Sequence, residues 1–192
     1  MLPYTRVDID QGSKAWLDWR NQGIGASDAP TIMGENPWKT PEKLLEEKCF
    51  GKSEFASAAM NRGVELEPEA RRAFESKVGI SVLPECLQSL GLDWLRASLD
   101  GLASDGSVAV EIKCGESVYR QSIASGKVPQ YYVGQLQHIL AVTGLQTVHF
   151  YCYLPRRQSV HVCMARDENY ITKMLKLEAL FWEELIRARG RM

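Results

Sequence analysis

Two carboxylates and a lysine stand at a spacing that can do chemistry. Asp100 lies in Ser98-Leu99-Asp100-Gly101, and ten intervening residues lead from it to Glu111-Ile112-Lys113. Side chains alternate along a strand, so Glu111 and Lys113 share one face while Ile112 points into the opposite, buried layer. Ser104-Asp105-Gly106 is a turn signal between two β-leaning runs, and a hairpin closed there brings Asp100 beside Glu111. Hard oxygen ligands and one ammonium then converge. That is what metal-assisted hydrolysis of a phosphodiester needs: the carboxylates hold Mg²⁺, the ion polarises the phosphate and acidifies a water, and the lysine orients that water or offsets developing charge. The same residues also suit a solvated strand ladder, since carboxylate and lysine pairs are common on sheet edges. Their weight therefore depends on the elements around them.

Those elements can be placed from their punctuation. Ser13 caps a short helix carrying Trp16, Trp19 and Arg20, and Gly23-Ile-Gly-Ala-Ser27 turns into a second short helix near Ser27. Thr40-Pro41-Glu42 opens a helix that ends at Gly51. Residues 55–78 are helical in pattern and end at Gly79, with Gly63 and Pro68 pointing to a kink or to two helices. Ile80–Leu87, Trp94–Leu99 and Val108–Lys113 form an antiparallel meander, with Asp100 at the end of its second strand. Pro129 opens a helix closed by Gly144; strands at Thr147–Leu154 and Ser159–Met164 follow around Pro155-Arg156-Arg157, and a helix from about Asp167 to Arg189 completes the order. A strand, helix, strand succession returns parallel, so the pattern predicts an α/β fold with a mixed five-stranded sheet flanked by helices.

Composition bounds the rest. The 192 residues carry 23 Lys+Arg against 24 Asp+Glu, a net charge of −1, which argues against a protein that coats nucleic acid by bulk charge. The chain reads as one domain, 1–192. Five widely spaced cysteines, with no Cys-x-x-Cys pair and no Cys/His cluster in the sequence, read as reduced residues of a cytoplasmic protein without a zinc or iron–sulfur site. No run approaches the length of a membrane span. His138, His149 and His161 read as structural. Lys39, Lys43, Lys48, Lys52, Arg156 and Arg157 are candidate phosphate contacts, though charge runs of this kind are more often solvated faces.

Four segments, in order, carry a resemblance: Trp16-Leu-Asp-Trp-Arg20 with Gly25-Ala-Ser27; Arg62-Gly63-Val-Glu-Leu-Glu67-Pro68; Asp100-Gly101 with Glu111-Ile-Lys113-Cys114; and Tyr132-Val-Gly-Gln135-Leu-Gln137 ahead of Val142-Thr143-Gly144. From about Trp16 to Leu154 the chain resembles the PD-(D/E)XK nucleases, and within them the phage-type alkaline exonucleases of the lambda exonuclease and YqaJ-like viral recombinase group. The resemblance implies Asp100, Glu111 and the Ile112 carbonyl as metal ligands, Glu67 completing the acidic pocket directly or through water, Lys113 positioning the nucleophilic water, and Gln135 facing the same pocket, with Gln137 as the competing choice. It implies Mg²⁺, with Mn²⁺ substituting and two ions per site. Arg20 and Ser27 match a pocket for a terminal 5′-phosphate, chemistry that a bidentate guanidinium and a hydroxyl suit; their ordinary alternative is a snorkelling arginine and an N-cap. Trp16 and Met60 match strand-end contacts. The expected activity is 5′→3′ digestion of one strand of linear duplex DNA, leaving a 3′ overhang for a single-strand annealing recombinase partner, in a ring-shaped homotrimer. Another PD-(D/E)XK nuclease, an endonuclease or RecB-type domain, is the alternative, and an inactive DNA-binding accessory module is a third.

Overall fold

The computed structural model describes residues 3–51 and 58–190. Its strands are β1 (Tyr4–Val7), β2 (Ile24–Gly25), β3 (Val82–Ser89), β4 (Leu95–Ala103), β5 (Ala109–Lys113), β6 (Thr147–Cys152) and β7 (Val160–Ala165). Its helices are α1 (Lys14–Asn21), α2 (Ala29–Ile32), α3 (Pro41–Phe50), α4 (Ala58–Val78), α5 (Glu116–Ser125), α6 (Gln130–Thr143) and α7 (Glu168–Arg189), with a 3-10 turn at Ala26–Asp28. All seven strands join one sheet in the order β1-β3-β4-β5-β6-β7, and β2 pairs parallel with β4. The β3-β4-β5 meander is antiparallel and β5 runs parallel to β6. No helix among the described residues is long and apolar enough to cross a membrane.

The expected mixed α/β sheet is therefore present with seven strands rather than five. β1 and β2 are short strands, four and two residues long, and each is held by pairing with a longer strand, which local apolar alternation does not reveal. Helix α5 was also unforeseen; it runs between Gly115 and the left-handed Gly126 and buries only Val118, Tyr119 and Ser122. Of the two outcomes expected at Gly63 and Pro68, the division into two helices is absent, because α4 continues through both, with Ala70 and Phe74 on its buried side. The other caps behave as their residue types require. Ser13 and Thr40 accept from the backbone N–H groups three residues on, and Gly144 closes α6 at φ 73°.

Two cores sandwich the sheet. The larger one packs α6, α7 and α2 against Leu95, Ala97, Leu99, Val148, Phe150 and Cys152. The smaller one sets Ala70 and Phe74 of α4 on Val82, Val110, Ile112 and Tyr151. Strand alternation divides β5 between them: Ile112 faces the α4 side, leaving Glu111 and Lys113 on the side of α6.

Candidate active site

Asp100 lies inside β4 rather than at its end, and at a fault in the sheet. Leu83 of β3 pairs with Leu102 and Glu85 pairs with Leu99, so Pro84 alone opposes both Asp100 and Gly101. That count of two against one is a β-bulge. Proline donates no backbone hydrogen bond and is tolerated in sheets at such places. The fault also interrupts alternation: Leu95, Ala97 and Leu99 face the larger core, and so does Leu102. A Cβ on Gly101 would meet Val82 Cγ2 at 2.6 Å and Val110 Cγ1 at 2.7 Å, so only glycine fits after the aspartate.

The backbone groups released by the bulge are taken up by side chains, as buried polar groups must be. Gln11 Nε2 donates to the Leu99 carbonyl at 2.9 Å and to the Glu85 carbonyl at 3.3 Å. Arg71 Nε donates to the Asp100 carbonyl at 2.7 Å. The pairing of β4 with β5 extends only over Gly101–Val110 and Leu102–Ala109, and beyond it the Ile112 N–H donates to Asp100 Oδ2 at 2.7 Å. On an extended strand the N–H and C=O of one residue point to the same edge, so the Ile112 carbonyl also faces this gap.

Around the gap the acids crowd. Glu111 is 2% exposed; its Oε1 accepts from Gln135 Nε2 at 2.6 Å and from the Lys113 ammonium, while its buried Oε2 has no partner among the described residues. Glu67 accepts from Arg71, which thereby bridges α4 to the Asp100 backbone. Lys113 lies 5.0 Å over the ring of Tyr132. Burial, reinforced by the Asp100 charge, pushes Glu111 up to about 7 and also raises Glu67. Burial raises Asp100 too, against the opposing pull of Lys113. Burial acts to lower Lys113, but the carboxylates of Glu111 and Asp100 outweigh it and hold the ammonium charged. A buried oxygen without a donor among the described residues, amid carboxylates whose charges oppose one another, fits a hard dication held by Asp100, Glu111 and the Ile112 carbonyl, with Glu67 directly or through water.

The neighbouring candidates are also brought together. Arg20 Nη2 donates to Ser27 Oγ at 2.7 Å, and its guanidinium lies 4.5 Å over the Trp16 ring. Trp16 Nε1 donates to Ser98 Oγ at 2.8 Å, which ties this cluster to β4 two residues before Asp100. Ser27 is exposed and Arg20 half-buried, so the pair opens to solvent. Beneath it Asp28 accepts from Gly25 N at 2.9 Å and pairs with Lys48 at 2.9 Å, and Lys48 donates to the Gly23 carbonyl. Lys48 is thus a buried brace and not a phosphate contact. Lys39, Lys43 and Arg157 are paired with Glu47, Glu46 and Glu116. Met60 falls in the first turn of α4, with its side chain outside the described residues, and Lys52 lies outside them altogether.

The rival glutamine takes another role: Gln137 donates to the Ala165 carbonyl and accepts from Asp167 N, fastening α6 to the connection between β7 and α7. His138 is structural, buried between Glu178 and the Arg96 carbonyl. The expected absence of a Cys/His cluster holds along the sequence but not in space, because His149, His161 and Cys163 meet across β6 and β7. Arg71 and Gln11 carry positioning contacts that motif spacing did not single out, and Tyr132, part of the fourth segment, takes a role beneath Lys113 that the segment did not assign. Arg71 had one local signal, its place four residues after Glu67 on one helix face.

Comparison with known proteins identifies the fold and the family. The YqaJ-like viral recombinase domain profile matches residues 15–146. The chain is 29% identical over 177 residues to the uncharacterized protein YqaJ of Bacillus subtilis (strain 168), covering 89% of this chain and 56% of that relative, so it spans little more than half the relative's length. The structure of LHK-Exo in complex with dAMP superposes with a TM-score of 0.82 at 27% identity, over 93% of this chain and 95% of that one. LHK-Exo is an alkaline exonuclease from Laribacter hongkongensis. A phage-related exonuclease from Haemophilus somnus 129PT shares the fold at TM-score 0.62 and 14% identity, over 86% of this chain and 96% of that one. The fold is thus that of the PD-(D/E)XK alkaline exonucleases. By its matching profile over most of its length, the chain belongs to the YqaJ-like viral recombinase family.

Proposed function

We propose that the chain is a Mg²⁺-dependent exonuclease that hydrolyses one strand of linear duplex DNA in the 5′→3′ direction from a 5′-phosphorylated end. The observation that carries this reading is the buried Glu111 Oε2, without a partner among the described residues, at a gap shared with Asp100, Glu67 and Lys113. The complex of LHK-Exo with dAMP, a nucleoside monophosphate of the product class of such a reaction, supports it.

When bound, the dication polarises the scissile phosphate and acidifies the attacking water. Asp100, Glu111 and the Ile112 carbonyl would hold it, with Glu67 directly or through water. Gln135 and Lys113 share Glu111 Oε1 and so would leave Oε2 free to bind the ion. Lys113 stays protonated, so it orients the water and offsets charge on the phosphate rather than accepting a proton. The water oxygen bonds to phosphorus and the P–O3′ bond breaks; the departing O3′ takes a proton, and the shortened strand ends in a new 5′-phosphate. Arg20 and Ser27 bind that phosphate, which places the next bond at the gap. The resulting 3′ overhang suits a single-strand annealing recombinase, and a homotrimeric ring would retain the duplex.

The test incubates linear duplex with the protein and Mg²⁺ or Mn²⁺, with EDTA as control. Asp100→Ala and Lys113→Ala are expected to lose about 10³-fold or more of the rate. Digestion by Asp100→Ala at the wild-type rate would overturn the mechanism, and no digestion by the wild type would leave a DNA-binding accessory module. Removing the 5′-phosphates should slow the wild type and leave Arg20→Ala unaffected. Equal rates on both ends in the wild type would point instead to an endonuclease or RecB-type enzyme.

A further inference from the structure

We propose that His149, His161 and Cys163 form a second metal site, for one Zn²⁺-class ion, on the outer strands of the sheet and separate from the carboxylate gap. His149 of β6 pairs directly with Cys163 of β7, and His161 pairs with Tyr151, so all three ligands project from the face that α4 covers. The His149 Nδ1 and His161 Nε2 atoms are 2.7 Å apart; Cys163 Sγ lies 3.5 Å from the first and 3.9 Å from the second.

Tetrahedral coordination with bonds of about 2.0–2.3 Å sets such ligand atoms about 3.3–3.6 Å apart. The two sulfur distances already lie near that range, and the nitrogens need to part by only roughly 0.6 Å. Phe74 packs edge-on against both imidazoles, at 5.4 and 5.6 Å between ring centroids, and fixes their planes. Cys163 is exposed, which leaves a route for the ion and a fourth position open to water.

The donor set decides the metal. Two imidazoles and a thiolate are borderline-to-soft ligands that select Zn²⁺ over Mg²⁺, whereas the gap at Asp100 and Glu111 offers only oxygen. On binding, the thiol proton leaves to solvent, and the hydrogen between the two imidazoles shifts to the far nitrogen of its own ring, so both rings coordinate as neutral ligands. Lys77, beside His161, opposes the incoming cation, and the thiolate charge offsets it. The consequence is mechanical as well: β7 is the last strand of the sheet, and a bound ion cross-links it to β6, which pairs with the strand that carries Glu111.

The full chain is titrated with Co²⁺ in excess Mg²⁺, and thiolate-to-cobalt charge-transfer absorption is read in the near ultraviolet; equilibrium dialysis against Zn²⁺ counts the ions retained. One ion per chain and a charge-transfer band are expected. Cys163→Ser should abolish the band, and it alters an exposed residue with little demand on folding. His161→Gln should weaken Zn²⁺ retention about 100-fold, while Asp100→Asn leaves band and retention unchanged. A band that survives Cys163→Ser, or Zn²⁺ retention lost in Asp100→Asn and kept in Cys163→Ser, would overturn the proposal.

Discussion

At the scale of residues, the pocket depends on an arginine that need not touch substrate. Arg71 neutralises Glu67 and donates to the Asp100 carbonyl, so one fork fixes two of the proposed ligands. Its charge also lowers both carboxyl pKa values against the burial that raises them. Arg71→Ala should therefore raise the Mg²⁺ concentration needed for half-maximal digestion by about 10–100-fold and move the rise of activity with pH to more alkaline values. Arg71→Lys keeps the charge but not the fork, so it should recover the pH profile better than the Mg²⁺ requirement. An unchanged Mg²⁺ requirement in Arg71→Ala would show that Arg71 does no positioning. Asp100, Glu111 and Lys113 were legible because strand alternation and a turn signal place them in register without knowledge of the rest of the chain. Arg71 and Gln11 were not, since what they serve is backbone exposed by a fault that no local pattern announces. The imidazole and thiol cluster was missed for a related reason: its members are 12 and 14 residues apart and meet only through strand pairing.

Among the elements, β4 matters most, and its fault is a feature that the sheet is built to hold. Pro84 cannot donate where the ladder is broken, and Gly101 admits no Cβ between Val82 and Val110. Gly101→Ala should cost about 1–3 kcal/mol through overpacking, a fall in Tm of roughly 2–12 °C for a chain of this size. Adding Val82→Ala removes the nearer of the two clashes. The double variant should then melt above the sum of the two single effects, a coupling that neighbouring sites permit. A Gly101→Ala protein that melts with the wild type would mean that β4 bends elsewhere. Helix ends were largely readable in the sequence, because Ser13, Thr40, Gly51, Gly79 and Gly144 cap by chemistry local to themselves. Strands β1 and β2 were not, because four and two residues acquire their pairing from a distant strand. The bulge was hidden for the same reason: its two halves are separated by a turn, and only pairing shows that they fail to match.

For the whole molecule, a net charge of −1 hides how unevenly charge is distributed. Three carboxyls gather at one gap, and all three are raised by burial. Glu111 rises from an ordinary 4.5 to about 7, so between those values the folded chain keeps a proton that the unfolded chain has released. Stability falls with rising pH wherever the native state binds more protons, so Glu111 makes the metal-free protein less stable as pH climbs through this window. The slope from one such group is at most about 1.4 kcal/mol per pH unit. Other carboxyls act in the opposite sense; Asp28, held low by Lys48 against its own burial, contributes stability that is lost only in acid. Glu111→Gln isolates the effect, because it preserves the shape and removes the titration. In EDTA, the stability of the wild type relative to Glu111→Gln should decline between about pH 4.5 and about pH 7 and level off above. Mg²⁺ should restore the wild type at pH 8 and do much less for the variant, since binding to the folded state alone adds stability by mass action. Urea midpoints across pH, with and without Mg²⁺, measure both. A difference that stays flat with pH would mean that Glu111 carries its charge unaided, and the gap would then have no electrostatic need for an ion.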